Sequence, residues 1–260
     1  GSEFDFGNAG TSAVTATFTP TDTTNYVSGG TVAMTVTVAQ ATPTFTWSNV
    51  AKTYGDSAFS LVAPTVAGSI AGSWSYASAT TSVVSLSGST ASVNAAGSAE
   101  ITATFTPTDT ANHVSSGTVA MTVSVATADQ SGLTVTSVSG TYGSTVSLTV
   151  SGGTTSGSVS YATTGAGCSI TSGVLSKLSA GDCSVTATMA GNSNYNAVSS
   201  LATTVTFAKA SQSGLSVTTT SGTYGIDLTL NVGGGTTAGS VTYVVTGAGC
   251  SQMDGVLTKN

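Results

Sequence analysis

The reactive side chains of this sequence are few and lie far apart. It has three cysteines, Cys168, Cys183 and Cys250, and a single histidine, His113. No Cys-x-x-Cys spacing accompanies them, so a zinc site is not indicated, and we expect no metal and no cofactor. Cys168 and Cys183 are 15 residues apart, and a bridge closing such a loop contributes roughly 3 kcal/mol in the chain-entropy model. We predict this disulfide, against the alternative of buried free thiols, and an oxidising compartment.

His113 follows Asp109 by four residues, which invites comparison with a Ser-His-Asp triad. A triad also needs an oriented nucleophile, and nothing distinguishes one among the many Ser and Thr residues. In two similar segments the place of His113 is taken by Tyr26 and Tyr195. An aromatic ring at a corner between strands can pack there and bind backbone with its polar tip. We therefore expect a structural role, no catalytic residues and no enzyme.

Trp47, Trp74 and Tyr76 are the aromatic side chains best suited to stacking on a sugar. When the similar segments are aligned, Trp47 matches Val135 and Trp74 matches Val159. A position that accepts either an aromatic or an aliphatic residue usually belongs to a hydrophobic core. We interpret the three residues as core, with a carbohydrate platform as the alternative.

The elements that carry these residues recur along the chain. Residues 101–114 have a near copy at 14–27 and a looser copy at 185–198, and Phe18 and Phe105 stand 87 positions apart. The copies alternate Thr with apolar residues, which is the pattern of half-buried strands. A period of this length predicts a tandem array of small all-β domains.

We divide the chain by these copies and by the change of repeat type near residue 127. The predicted segments are residues 1–4, typical of a translated cloning site; 5–39, the C-terminal half of a repeat; 40–127, a complete repeat; 128–209, a complete repeat with the disulfide; and 210–260, the N-terminal half of a repeat. A shifted frame of 6–96, 97–180 and 181–260 is the alternative. It would place Cys168 and Cys183 in different domains.

The first complete repeat carries a clear strand pattern. Alternation bounded by Gly, Pro, Asn and Asp predicts strands at 44–50, 58–63, 72–77, 83–87, 90–93, 99–105 and 118–125. Seven short strands indicate an immunoglobulin-like β-sandwich with Greek-key connections. The counterparts of Cys168 and Cys183 are about Val83 and Ala99, both apolar and on neighbouring predicted strands, so a disulfide would replace a packing contact.

The two half repeats have an awkward consequence. Each leaves apolar strand faces and a sheet edge uncovered. Either these halves fray, or residues 210–260 of one chain pair with residues 5–39 of another in a head-to-tail assembly. Cys250 is the counterpart of Cys168, and we expect it to be a free thiol because the counterpart of Cys183 would fall near position 265.

Composition excludes several classes of protein. Charged residues make up 5% of the chain, against about a quarter in ordinary soluble domains. The net charge is −6 with four Lys and no Arg, so the basic footprint of a nucleic-acid-binding protein is absent. No apolar run approaches the roughly 18 residues of a membrane span. The abundant β-branched Thr and Val favour strands, and the abundant Gly disfavours helices.

A Tyr-Gly step recurs at equivalent places, within Lys-Thr-Tyr-Gly-Asp once and Gly-Thr-Tyr-Gly twice: Tyr54-Gly55, Tyr142-Gly143 and Tyr224-Gly225. We expect each Gly to allow positive φ or a bulge. Together with a later Asn-Tyr motif, this step resembles the bacterial immunoglobulin-like repeats called MBG or YGX-type, which occur in long bacterial surface adhesins. Residues 178–188, followed by Asn194-Tyr195, are similar to the final strands of related bacterial repeats.

The resemblance implies a stalk or adhesin module that is secreted or displayed on a bacterial cell surface, and it brings no catalytic residues. We predict a structural spacer whose partners are neighbouring repeats, with half-repeat pairing to another copy as a further hypothesis. The alternative is an adhesive module that binds a glycan or a host protein through loops or exposed aromatics.

Overall fold

The computed structural model describes residues 7–259, so the predicted cloning remnant at residues 1–4 lies outside the described part. The fold is all-β: tandem immunoglobulin-like sandwiches built from short strands, with one 3-10 turn at Ala67–Ser69 in that range. Residues rich in β-branched side chains and punctuated by Gly form such strands because their rotamers fit a pleated surface.

The strands up to residue 126 are β1 (Gly10–Phe18), β2 (Gly30–Val38), β3 (Phe45–Thr46), β4 (Val50–Thr53), β5 (Phe59–Ser60), β6 (Thr65–Val66), β7 (Gly72–Ser78), β8 (Val84–Ser87), β9 (Thr90–Val93), β10 (Gly97–Pro107) and β11 (Gly117–Ala126).

The later strands are β12 (Leu133–Val135), β13 (Ser139–Thr141), β14 (Val146–Ser147), β15 (Val150–Gly152), β16 (Val159–Thr164), β17 (Cys168–Thr171), β18 (Val174–Lys177), β19 (Gly181–Met189), β20 (Val198–Ser199), β21 (Thr203–Ala208), β22 (Leu215–Val217), β23 (Leu228–Thr229), β24 (Val232–Gly234), β25 (Cys250–Met253) and β26 (Val256–Lys259).

Two compact units divide the chain. The first runs to Gly132 and also takes in Gly152–Val159 and Thr188–Ser199. The second comprises Leu133–Ser151, Ser160–Ala187 and the chain from Ser200 onward. This division follows contacts rather than sequence repeats, and the repeat boundaries stay a prediction.

The first unit contains one complete sandwich. One sheet has the order β4-β11-β10-β7, and a second has the order β5-β9-β8, beside the short pair β3-β6. Because β7 and β10 are neighbours while β8 and β9 lie in the other sheet, the connections cross between sheets as in a Greek key. The core cluster draws Val84 and Ala91 from one sheet and Ile101 and Val123 from the other.

Two predicted strand bounds in this sandwich were wrong. The strand expected at residues 44–50 is two strands: β3 pairs antiparallel with β6, and β4 pairs parallel with β11. The strand expected at 58–63 is confined to Phe59–Ser60, and β6 follows it. The alternation of Phe45 and Trp47 stops at Asn49, but nothing in the local pattern shows that the chain changes its pairing partner there.

The second unit is built around its own core. Its larger sheet has the order β13-β21-β19-β16, and a smaller one has the order β14-β18-β17. The inward face of β19 carries Cys183, Val185 and Ala187, all 0% exposed. The disulfide Cys168–Cys183 is present, and it joins β17 to β19. It therefore links the two sheets rather than neighbouring strands.

The N-terminal hairpin β1–β2 has a close counterpart in β10–β11. Residues Gly10 and Val38 are partners, as Gly97 and Val125 are. Phe105 is 1% exposed, but its copy Phe18 is 71% exposed. The hairpin thus has the strand geometry of a complete repeat, but among the described residues no sheet covers its apolar face.

The C-terminal segment shows the complementary defect. The sequence Ser-Gly-Thr is strand β13 at 139–141, but its copy at 221–223 is irregular. Likewise β16 is a strand at Val159–Thr164, whereas its copy at 241–246 is not. In the second unit β13 pairs with β21 and β16 with β19. These two stretches therefore become strands only where a partner strand is present.

Candidate inter-repeat joint

The Tyr-Gly step forms a tight turn at the end of a sandwich. Gly55, Gly143 and Gly225 have φ of 91°, 84° and 78°, so the expected positive φ is confirmed. In the first turn Asp56 N donates to Thr53 O (3.0 Å), and Tyr54 N donates to Ala126 O (2.9 Å). The second bond ties the turn to the last residue of β11. Tyr54 is thereby held beside the start of the next repeat.

A second structural feature is the corner that follows β10. Asp109 Oδ1 accepts from the N–H groups of Ala111 and Asn112 (both 3.1 Å), and its Oδ2 accepts from Asn112 Nδ2 (2.8 Å). The Asn112 side chain and backbone, followed by Ala111 and the charge of His113, lower the pKa of Asp109. Asp22 forms the same turn with Thr24 and Asn25, and its pKa is lowered for the same reason.

The corner asparagine reaches back to the preceding repeat. Asn112 Oδ1 accepts from Ala9 N (2.7 Å), and Asn112 Nδ2 donates to Asn8 Oδ1 (3.0 Å). Asn194 repeats the first contact, because its Oδ1 accepts from Ala96 N at 2.9 Å. Ala9 and Ala96 hold equivalent places just before β1 and β10. In each case the asparagine side chain therefore binds the corner to the backbone just before a strand of the preceding repeat, which we call the strand entry.

The residue after the corner asparagine packs on the Tyr-Gly turn. The rings of Tyr54 and Tyr195 meet edge to face with centroids 5.3 Å apart. The linker closes the contact, since Ala128 N donates to Asn194 O (2.9 Å) and Asn196 N donates to Ala128 O (2.8 Å). We call this arrangement the corner–turn joint. It consists of the corner (Asn194-Tyr195), the alanine before β10 (Ala96), the Tyr-Gly turn (Tyr54-Gly55) and the linker at Ala128.

A buried glutamine braces the linker. Gln130 is 7% exposed, and its Nε2 donates to Asn196 O (2.8 Å) and Ala190 O (3.2 Å). Its Oε1 accepts from Thr155 N (3.0 Å) and from Thr155 Oγ1 (2.8 Å). A buried amide with all these partners is stabilising, whereas one left unpaired would be costly.

The sequence pattern did not predict the amide contacts of this joint. It showed the Asn194-Tyr195 motif and the aromatic slot of His113 and Tyr195, but not the long-range bonds that Asn112 and Asn194 make. The signal was present, because an asparagine precedes the aromatic residue in every corner, including Asn25. The burial of Gln130 could not be predicted, because no local sequence pattern indicates that a polar residue will be buried.

The aromatic residues considered for sugar stacking pack against the core. The Trp74 ring lies between Phe105 (centroids 4.9 Å) and Phe45 (5.2 Å). Trp47 packs on Tyr76 (5.8 Å), and its Nε1 donates to the carbonyl of Val62 at 2.7 Å. All three are half-buried, and burial raises the pKa of Tyr76. They do not form one flat exposed plane.

The remaining reactive groups lie apart from one another. His113 Nδ1 is 3.3 Å from the backbone oxygen of Asp109, not from its carboxylate. Cys250 is a free thiol, and Lys259 Nζ lies 3.7 Å from its sulfur. The counterpart of Cys168 in the first repeat is Val84 rather than Val83, and Val84 is completely buried.

Neither a metal site nor a membrane helix is found in the described part of the chain. Within residues 7–259, His, Cys, Asp and Glu form no group of three or more that could hold a metal ion. No helix in that range is long and apolar enough to cross a bilayer.

Comparison with known proteins gives a likeness of fold only. No protein-family model matches the chain, and no curated protein sequence does. Solved structures that are similar include extracellular cadherin domains 3–6 of protocadherin gamma B2, with 14% identity, a TM-score of 0.33 and coverage of 70% of this chain and 56% of that one. Mouse cadherin-23 EC22–24 has 12% identity, a TM-score of 0.33 and coverage of 77% and 74%. At these values we transfer no function from them.

Proposed function

We propose that this chain is a structural spacer of a secreted or cell-surface bacterial protein, in which sandwich repeats are coupled in series by corner–turn joints. The observation that carries the proposal is the recurrence of one contact. Asn112 docks on Ala9 and Asn194 docks on Ala96 with the same atoms. A chain that needs only to hold its ends apart requires such couplings and no reactive site of its own.

Composition and redox chemistry support this role. Few charged side chains means few surface ion pairs for salt to screen, so the repeats are suited to variable ionic strength. The inter-sheet disulfide of Cys168 and Cys183 is a feature of proteins in oxidising compartments. Both properties suit a segment that is exposed outside the cell.

The spacer proposal is tested by a search for ligand binding. The protein is biotinylated at Cys250, which is a free thiol, and applied to arrays of glycans, extracellular-matrix proteins and host-cell extracts. We expect no saturable binding while circular dichroism shows a folded β protein. A saturable signal that is lost in Trp47→Ala or Trp74→Ala, and kept in Tyr26→Ala, would replace the spacer role with that of an adhesive module.

A further inference from the structure

We propose that the C-terminal segment of one molecule, residues 210–259, combines with the N-terminal hairpin, residues 7–39, of a second copy to form one complete sandwich. The product is a head-to-tail assembly, in which two different surfaces meet and further copies can add. This inference does not depend on the spacer role, because it rests on unpaired strands and uncovered faces.

Backbone pairing supplies the first argument. In the complete sandwich β4 pairs parallel with β11, and β7 pairs antiparallel with β10. The C-terminal copies of these outer strands, at 221–223 and 241–246, are irregular. The hairpin β1–β2 is the copy of β10–β11, and among the described strands both of its edges are unpaired. Residues 221–223 would therefore lie parallel to β2, and residues 241–246 antiparallel to β1.

Apolar faces supply the second argument. In the hairpin Phe18 is 71% exposed and Met34 is 59% exposed, although their copies Phe105 and Met121 are 1% and 3% exposed. In the C-terminal segment Leu257 on β26 is only half-buried, whereas its copy Leu175 is 0% exposed. A two-stranded hairpin is only marginally stable alone, so a covering sheet would stabilise it. The faces are those that meet inside the complete repeat.

A vacant joint supplies the third argument. A groove of about 290 Å³ in the second unit is lined by Tyr142, Leu178, Ala180, Lys209 and Gln212. These residues are the counterparts of the Tyr-Gly turn, the strand entry and the linker that receive the Asn194-Tyr195 corner. Tyr142 is 49% exposed and Leu178 is 82% exposed, so no corner from the described residues is seated in the groove.

The second copy carries the corner that this groove would receive. Asn25 and Tyr26 follow β1 as Asn112 and His113 follow β10, and the Asp22 turn already holds Asn25 in the same conformation. Tyr26 is 67% exposed. When β1 pairs with residues 241–246, the corner after β1 reaches the same end of the sandwich as the groove. A single docking event would fill both sites.

The side-chain amide of Gln212, the counterpart of Gln130, also lacks the hydrogen bonds to a corner that Gln130 makes. Its Oε1 accepts from Thr236 N (2.7 Å) and Thr237 N (3.2 Å), as Gln130 does from its loop. Its Nε2 donates instead to Thr237 Oγ1 (2.7 Å). In Gln130 that group donates to the backbone oxygens of the corner region. We infer that Gln212 Nε2 would turn to the corner of the second copy.

A designed disulfide tests the proposed register. Ser12 and Cys183 hold equivalent places on β1 and β19, and Cys250 is the copy of Cys168, the partner of Cys183. Under mild oxidation, the new thiol of Ser12→Cys should therefore form a disulfide with Cys250 of another molecule. We expect a ladder of disulfide-linked oligomers on a non-reducing gel, and mass spectrometry should detect the peptide that joins position 12 to Cys250.

Matched variants complete the cross-linking experiment. Ala13→Cys places the thiol one residue away on the opposite strand face, and Ser12→Cys with Cys250→Ser removes the partner. On the non-reducing gel both variants should run essentially as monomers. Absence of the intermolecular peptide that joins position 12 to Cys250, or equal cross-linking of Ala13→Cys, would overturn the proposal.

Sedimentation velocity gives an independent readout on the unmodified chain. The wild-type mass should rise from monomer as concentration increases from about 1 to about 100 µM, as mass action requires. Phe18→Asp should weaken the association at least about tenfold, because it places a charge in the apolar contact. A monomer throughout this range would contradict the proposal and leave the spacer role untouched.

Discussion

At the scale of single residues, the joint depends on hydrogen bonds between residues that are far apart in the sequence. Asn194 reaches Ala96, 98 residues away, through one amide oxygen at 2.9 Å. Asp109 prepares the equivalent Asn112 by binding its backbone and its side chain. The sequence showed the recurring Asn but not its partner, because no local pattern encodes a contact between repeats.

Asp109 should make the corner sensitive to acid. Its folded-state pKa is lowered by Asn112, Ala111 and His113, so the stabilisation is present above the usual carboxyl pKa and is lost as pH falls through the lowered value. The stability difference between wild type and Asp109→Asn should therefore shrink as pH falls from about 6 to about 2. Thermal unfolding at several pH values measures it, with Glu100→Gln as the control. A constant difference would contradict the assigned role.

The disulfide should stabilise one part of the molecule selectively. Reduction of Cys168–Cys183 should cost roughly 3 kcal/mol, the loop-closure value for 15 residues. Both tryptophans, Trp47 and Trp74, lie in the first unit. Denaturant unfolding followed by tryptophan fluorescence should therefore change little, while the transition seen by circular dichroism should gain an earlier phase. An equal shift in both signals would show that the bridge does not act locally.

At the scale of elements, the same short sequence forms a strand in one repeat and is irregular in another. Ser-Gly-Thr-Tyr-Gly begins with strand β13 in one repeat and is irregular before its turn in the next. The turn itself persists in both, because Gly143 and Gly225 have similar positive φ. Turn chemistry is local and could be predicted from sequence. Strand formation at an edge depends on a partner and could not.

The Tyr-Gly turn should be sensitive to a side chain at its glycine. A Cβ on Gly55 would meet nothing within 4 Å, so any cost of Gly55→Ala comes from its φ of 91°. We expect a loss of about 1–2 kcal/mol, the usual penalty of a left-handed conformation. Chemical denaturation measures it, and Gly132→Ala, also in open space but without positive φ, is the control. Equal effects would contradict the account.

The copied phenylalanines provide a second matched test. Phe105→Ala should cost about 3–5 kcal/mol because it empties a buried site, whereas Phe18→Ala should change stability by less than about 0.5 kcal/mol at monomer concentrations. Urea unfolding of dilute protein separates the two. Similar losses would show that the hairpin is covered within the single molecule.

At the scale of the whole molecule, the fold could be predicted from the sequence, but the contacts of the joint could not. Strong alternation located β7, β9 and β11 to within about two residues, since inward positions such as Met121 and Val123 must be apolar. The repeat period also predicted tandem sandwiches. The contacts of the joint could not be predicted, because the amide bonds of Asn112 and Asn194 and the packing of Tyr54 on Tyr195 join one repeat to another, where periodicity carries no information.

Distance measurement across one joint tests the central claim most directly. One spin label is placed at Ser87, at the end of β8, and a second at Ser193, beside Asn194, in a Cys250→Ser background. The distance between the two labels reports whether the corner stays docked. We predict one narrow distance distribution in the wild type, which broadens in Asn194→Ala and in Tyr54→Ala but not in Tyr26→Ala. A broad distribution in the wild type, or no change on removing Asn194 and Tyr54, would contradict the account of repeats coupled by corner–turn joints.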